Sequence, residues 1–258
     1  MSIGTAKPTS DEQSGVKHYF IDSHSIQEPL SSGKYEKEAL DVLEKVYSSH
    51  DYAILVGGSG MFINALLYGT DQIPQDPVIR EQLNQIYEEQ GLQILLSELK
   101  EKDPLYFNKV DQKNPVRIIR ALEVIRITGL PFSAQRQEKK KQRSFETKYF
   151  VIDHERDVLY ERINKRVELM IAAGLLDEVK SLRSFKNEQP LNTVGYKELF
   201  DHLNGECDID RAVELIKRNT RRYAKRQLTW FRRDQNTIWI PYSNNIAMIT
   251  QLEQHLNS

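Results

Sequence analysis

The stretch from Tyr52 to Tyr68 limits the possible fold more than any other part of this sequence. Tyr52-Ala53-Ile54-Leu55-Val56 is a continuous apolar run of strand length, closed by Gly57-Gly58-Ser59-Gly60. Met61 to Tyr68 then reads as a helix stopped by Gly69. Ahead of the run, Ala39, Leu40, Leu43 and Val46 recur at helical period between Tyr35 and Tyr47. A helix, a buried strand, a glycine turn and a second helix imply an α/β layer fold with a parallel sheet. His18-Tyr19-Phe20-Ile21-Asp22 reads as another strand. Thr9 and Glu12 have capping-box spacing, which predicts a short helix before it.

Between about residues 71 and 146 only helical signals remain. Asn114-Pro115 has the chemistry of a helix start. Ile118, Leu122 and Ile125 form its apolar stripe, and Gly129 and Pro131 its stop. Arg136 to Arg143 is basic and reads as a linker, after which Tyr149-Phe150-Val151-Ile152 predicts a strand returning to the sheet. The expected organisation is an α/β core over residues 1–70 and 147–258 with a helical insertion domain over 71–146. In the C-terminal third, Val158 to Ala173 is helical, with Leu159, Ile163, Val167 and Met170 on one face. Ile209 to Phe231 predicts one helix roughly 35 Å long. Ile209, Ala212, Val213, Ile216, Tyr223, Gln227 and Phe231 form its inner stripe. Thr237 to Ile240 predicts a last strand.

Charge is distributed unevenly. The 258 residues carry 36 bases and 37 acids, yet residues 211–233 hold nine Lys or Arg against the single acid Glu214. Such concentration on one helix-length segment fits a localised polyanion site. No stretch reaches the roughly 20 apolar residues of a membrane span. The start has no apolar signal region, and with the single cysteine, Cys207, this predicts a cytoplasmic chain without disulfides. The six histidines form no HExxH pair, which argues against a zinc hydrolase.

Several groups of residues are candidates for chemistry. The Gly57–Gly60 turn can admit a phosphate or nucleic acid, or serve as an ordinary tight turn. Arg162 and Arg166 project from one helix face; two guanidinium groups suit a pyrophosphate, or they pair with Glu161 or Glu168. Asp208 and Asp210 suit helix initiation better than a metal. Lys225-Arg226-Gln227-Leu228-Thr229-Trp230-Phe231-Arg232 interleaves cations and aromatics, which suits unpaired bases and phosphates, although aromatics at helical spacing also serve a core. Asn192-Thr193-Val194-Gly195-Tyr196-Lys197 reads as a turn entering a helix.

These segments resemble the tRNA dimethylallyltransferase family, also called tRNA isopentenyltransferases. The matching stretches are IGTAKPT at 3–9, HYFID at 18–22, ILVGGSGMFINALL at 54–67 and NPVRIIRALEVIRITG at 114–129. RINKRVELMIAAGLLDEV at 162–179, LNTVGYKEL at 191–199 and RNTRRYAKRQLTWFRR at 218–233 follow in family order. The resemblance implies a P-loop-kinase-like parallel-sheet core with a helical insertion. It implies transfer of a dimethylallyl group from its diphosphate to N6 of an adenine beside the tRNA anticodon. It also implies a family with nucleotide-binding, ATP-type P-loops, and Mg²⁺ at the departing pyrophosphate. Arg166 matches the family arginine that helps the diphosphate react. Gly57, Gly58 and Ser59, Arg80, Asn114-Pro115-Val116-Arg117-Ile118, Asn192 to Lys197 and Lys225 to Arg232 match tRNA-contact positions. The implied partners are a tRNA anticodon stem-loop and dimethylallyl diphosphate, the expected state a monomer, with no membrane.

Family members open with a strand, a P-loop, a helix and a DSxQ motif bearing the proton-accepting Asp. This sequence has no GxxxxGK[ST] and no GxGxxG. The expectation is therefore an N-terminally truncated core whose own activity is doubtful. A non-catalytic tRNA-binding remnant and an adenylate isopentenyltransferase, acting on free nucleotide, are the alternatives.

Overall fold

The computed structural model describes residues 1–71, 73–136 and 140–256. In chain order the helices begin with α1 Ser32–Tyr47, α2 Gly60–Tyr68, α3 Pro77–Gln90, α4 Leu92–Lys102, α5 Pro104–Lys109, α6 Pro115–Thr128 and α7 Phe132–Gln135. Strand β1 Tyr149–Asp153 leads into α8 Arg156–Ala172, α9 Leu175–Ser181, α10 Tyr196–Leu203 and α11 Ile209–Phe231. Strand β2 Thr237–Pro241 and helix α12 Asn245–Leu256 follow. The chain divides into two compact units, Met1–Asn64 with Ser144–Ser258, and Ala65–Arg143.

In the first unit β1 and β2 pair in parallel, Tyr149 opposite Thr237 through Asp153 opposite Pro241. The fold is α/β. α11 packs on α8 and α10. Their shared core contains Val167, Leu175, Val179, Leu191, Tyr196, Leu199, Phe200, Ala212 and Ile216. Each fully buried Leu or Ile of this kind contributes about 1.5–3 kcal/mol through apolar area removed from water. α11 starts where Asp208 accepts a hydrogen bond from the Arg211 N–H at 2.7 Å, so this aspartate caps a helix. Tyr223 departs from the expected inner stripe: it is exposed, because the buried side of α11 is set by Ala212, Ile216 and Phe231.

Two expected strands do not form. Residues 52–56 have no regular structure, and Ile54 and Val56 are 90% and 87% exposed. A strand needs a neighbour for its N–H and C=O groups, and among the described residues the sheet consists of β1 and β2. Residues 19–22 form bends instead, with Phe20 and Asp22 at φ 65° and 51° and Asp22 paired to Lys7 at 2.6 Å. The helix expected from Thr9 is only a turn. The reciprocal capping bonds exist, Thr9 N–H to Glu12 at 2.8 Å and Glu12 N–H to Thr9 at 3.2 Å. Left-handed Ser14 and Gly15, at φ 50° and 76°, then end the turn.

In the second unit α6 packs on both α3 and α4 over a core that includes Leu83, Leu95, Leu99, Ile118 and Leu122. Asn114 caps α6 by accepting from the Arg117 N–H at 3.2 Å, Pro115 takes the first position, and Gly129 closes it at φ 72°. Residues 137–139 of the expected basic linker lie outside the described residues. Beyond them the Lys141 N–H meets the Tyr68 carbonyl at 2.8 Å, and Arg143 donates to the Leu66 and Ala65 carbonyls at 2.7 and 3.0 Å.

Candidate functional site

α11 presents its positive charge selectively. Lys217 is bridged to Glu168 at 2.9 Å and Glu214 at 3.2 Å. Arg221 donates to Asn164 at 2.5 Å. Arg218, Arg222, Lys225, Arg226, Arg232 and Arg233 are exposed. The aromatics among them serve as platforms: the Arg226 guanidinium lies 5.6 Å from the Tyr223 ring centre and Arg233 5.5 Å from Trp230. Within Lys225 to Arg232, Lys225, Arg226, Thr229, Trp230 and Arg232 face solvent, Gln227 and Leu228 are half-buried, and Phe231 is core.

Beside this face lies a pocket of ≈ 250 Å³ lined by Asn192, Thr193, Val194, Lys197, Glu198, Asn219, Arg222 and Arg226. It brings together two of the segments singled out in sequence. Its floor is fixed by buried Glu198, which accepts from the Gly195 N–H at 2.8 Å and from Asn219 Nδ2 at 2.7 Å. Those bonds hold the 192–197 turn against α11. Three cations, Lys197, Arg222 and Arg226, around a carboxylate each of whose oxygens already accepts a bond make a lining suited to phosphate. Asn219 and Glu198 escaped sequence reasoning. The spacing of Asn219, Arg222 and Arg226, three then four residues, is the signal that marks one helical face.

The same turn is anchored to the first residues of the chain. Glu178 accepts from the N–H groups of Ser2, Ile3 and Gly4 at 2.8, 3.0 and 3.1 Å and from the Tyr196 hydroxyl at 2.5 Å. Burial alone would raise the Glu178 pKa; these four donors outweigh it and hold the carboxyl below its ordinary value. Burial, and then the Glu178 carboxylate, push the Tyr196 hydroxyl pKa far up, so it stays a donor. Tyr196 has no exposed surface, and Gly195 turns the chain into α10 at φ 99°.

The Gly57–Gly60 turn seats beneath the C-terminal half of α11. The Gly58 carbonyl accepts from Gln227 Nε2 at 2.9 Å. A side chain on Gly58 would overlap Gln227, and one on Gly60 the Trp230 indole. Gly57 is exposed, and Ser59 is half-buried. On α8, Arg162 and Arg166 are both exposed; Arg162 donates to the Tyr242 hydroxyl at 2.8 Å.

In the second unit Arg80 pairs with buried Glu123, which also holds Arg120 at 2.8 Å and the Asp76 N–H at 3.0 Å. Burial raises the Glu123 carboxyl, but its bonds to Arg80 and Arg120 win and keep it ionised. Asn114 and Pro115 are half-buried, Val116 and Arg117 are exposed, and Ile118 has no exposed surface, so its side chain belongs to the core. Among the described residues there is no group of three or more His, Cys, Asp or Glu placed to hold a metal ion. No helix among them is long and apolar enough to cross a membrane.

The family model for IPP transferases matches residues 1–234. A tRNA dimethylallyltransferase of Cytophaga hutchinsonii is 43% identical over 99% of this chain and 84% of its own length. One from Christiangramia forsetii is 45% identical over 100% of this chain and 86% of its own. The crystal structure of the full-length tRNA isopentenylpyrophosphate transferase of Bacillus halodurans aligns with a TM-score of 0.70 and 34% identity, covering 99% of this chain and 82% of that one. A eukaryotic dimethylallyltransferase acting on tRNA aligns with a TM-score of 0.77 over 98% of this chain and 67% of that one; at 22% identity it speaks for the fold alone.

Proposed function

This chain belongs to the IPP transferase family, the tRNA dimethylallyltransferases, and from that membership we propose how its own residues serve the transfer of a dimethylallyl group to tRNA. The acceptor is N6 of an adenine next to the anticodon. Its nitrogen attacks the allylic carbon of dimethylallyl diphosphate. A C–N bond forms as the C–O bond breaks, the electron pair leaves with the diphosphate, and the amine proton passes to a base. Arg166 offsets the charge that grows on the departing diphosphate.

The pocket between the 192–197 turn and α11 is the observation that carries this reading. Arg222, Arg226 and Lys197 hold backbone phosphates there, while Asn192 offers its amide to base edges. Trp230 and Tyr223 give exposed rings for unstacked bases. Gly57 to Ser59, Arg80 and Asn114 to Arg117 extend the proposed tRNA contacts. The proposed setting is a cytoplasmic monomer that meets the anticodon stem-loop and dimethylallyl diphosphate. No magnesium ligand is assigned to this chain.

Binding of a labelled anticodon stem-loop, followed by incubation with radiolabelled dimethylallyl diphosphate, tests the reading. Salt-sensitive binding with label entering the RNA is expected. Absence of binding at moderate salt, or faster labelling of free AMP than of the stem-loop, would overturn it.

A further inference from the structure

The carboxyl ends of β1 and β2 carry side chains that the RNA face does not use. In an α/β layer, ligands bind where parallel strands end. β1 runs out through Asp153 into His154, and β2 through Pro241 into Tyr242 and Ser243. The ladder continues one rung beyond the strands, the Tyr242 N–H donating to the Asp153 carbonyl at 2.7 Å. That bond fixes the Tyr242 backbone to the sheet. Its ring stacks on the His154 imidazole with centres 4.1 Å and planes 27° apart. Burial, and then the charge of Arg162, lower the His154 pKa, so the stack adds no cation of its own.

Arg162 reaches this stack from α8. Its Nη1 donates to the Tyr242 hydroxyl at 2.8 Å, and its guanidinium carbon lies 4.9 Å from the ring centre. A long exposed arginine otherwise samples many rotamers; here the hydroxyl and the ring select one. Arg166 follows a turn later on the same helix face. Two polar atoms of this edge, His154 Nδ1 and Ser243 Oγ, are buried and have no hydrogen-bond partner in the protein. Neighbouring guanidinium groups suit a group that carries several phosphoryl oxygens.

We propose that Tyr242 is a positioning residue that pins Arg162 beside Arg166, so that the two guanidinium groups form a preorganised clamp for the diphosphate of the prenyl donor. The inference rests on the reading of Arg166 given above. Loss of the hydroxyl frees one rotamer-rich side chain, which corresponds to about a three- to tenfold weaker grip on the anion.

The test is calorimetric titration of the whole chain with inorganic pyrophosphate, comparing the parent with Tyr242→Phe, Arg162→Ala, Arg166→Ala and the Tyr242→Phe/Arg162→Ala double variant. Tyr242→Phe keeps the stacked ring, and an unchanged melting temperature certifies its fold. The expected result is a three- to tenfold higher Kd for Tyr242→Phe, no further loss when the same change is made on Arg162→Ala, and unaltered stem-loop affinity. Such coupling is a readout that a merely structural tyrosine would not produce. Equal losses in both backgrounds, or no loss from Tyr242→Phe while Arg166→Ala weakens binding, would overturn the positioning role and leave the Arg166 reading standing. Pyrophosphate binding that is absent in the parent, or indifferent to both arginines, would overturn the clamp and the Arg166 reading together.

Discussion

Replacing Arg222 and Arg226 with alanine strips two exposed cations from the wall of the pocket beside α11. Each RNA phosphate that a cation neutralises releases counterions, which adds about 0.7 (single strand) to 0.9 (duplex) to the slope of log affinity against log salt. If both arginines touch phosphates, the double variant's slope is shallower by about 1.4–1.8. Raising salt from about 50 to 200 mM then costs the parent roughly 7–12-fold more affinity than the variant. Fluorescence anisotropy with a labelled anticodon stem-loop at four salt concentrations measures this directly. Because both side chains are exposed, the melting temperature should not move. Lys217→Met is the matched control on the same helix: its ammonium is already held by Glu168 and Glu214, so the slope should stay at the parent value. Equal slopes for the parent and the Arg222→Ala/Arg226→Ala variant would refute the assignment of these two groups to RNA phosphates.

Gly4→Ala puts a methyl group 2.5–2.6 Å from the ring and hydroxyl of Tyr196, which is fully buried and cannot swing away. A loss of about 1–3 kcal/mol in urea unfolding is expected, and undiminished stability would show that the ring has room. Glu178 has a folded pKa below its ordinary value of 4.5. Its contribution is therefore present above pH 4.5 and lost as pH falls through the folded value. The stability gap between the parent and Glu178→Gln should narrow on acidification; a pH-independent gap would count against the four-donor account. Leu122→Ala, at a site with no exposure in the second unit, should cost about 2–5 kcal/mol, and a melting temperature within a degree of the parent would contradict the packing described for α6. Asn114→Ala removes the cap of the same helix and should cost about 1 kcal/mol by the same measurement, with no change arguing that water replaces the side chain.

The long cationic helix was readable because all its determinants are local. Asp208 caps it, the apolar period runs along it, and its observed span, Ile209–Phe231, coincides with the expected one. The start and stop of α6 at Asn114-Pro115 and Gly129 were readable for the same reason. Residues 18–22 and 52–56 failed as strands because pairing is a property of distant segments, and apolar content reports only half of that requirement. Tyr223 counted as core by period alone, yet the helix turns it outward. The two segments that meet at the pocket were each visible, but their meeting was not. It depends on Glu198, whose partner Asn219 is 21 residues away, and on Glu178, which binds N–H groups 174 to 176 residues earlier. A carboxylate whose donors are that remote leaves no local pattern.

The glycine turn at 57–60 works as a shim of zero thickness. With hydrogen atoms where other residues carry a methyl, Gly58 and Gly60 set how low Gln227 and Trp230 can rest. A bulkier residue at Gly60 would press on the Trp230 indole and lift the far end of α11, whereas one at Gly58 would displace only the amide tip of Gln227. The arginines one turn away would then be carried off the register proposed for them on the RNA, although none of them had itself been altered.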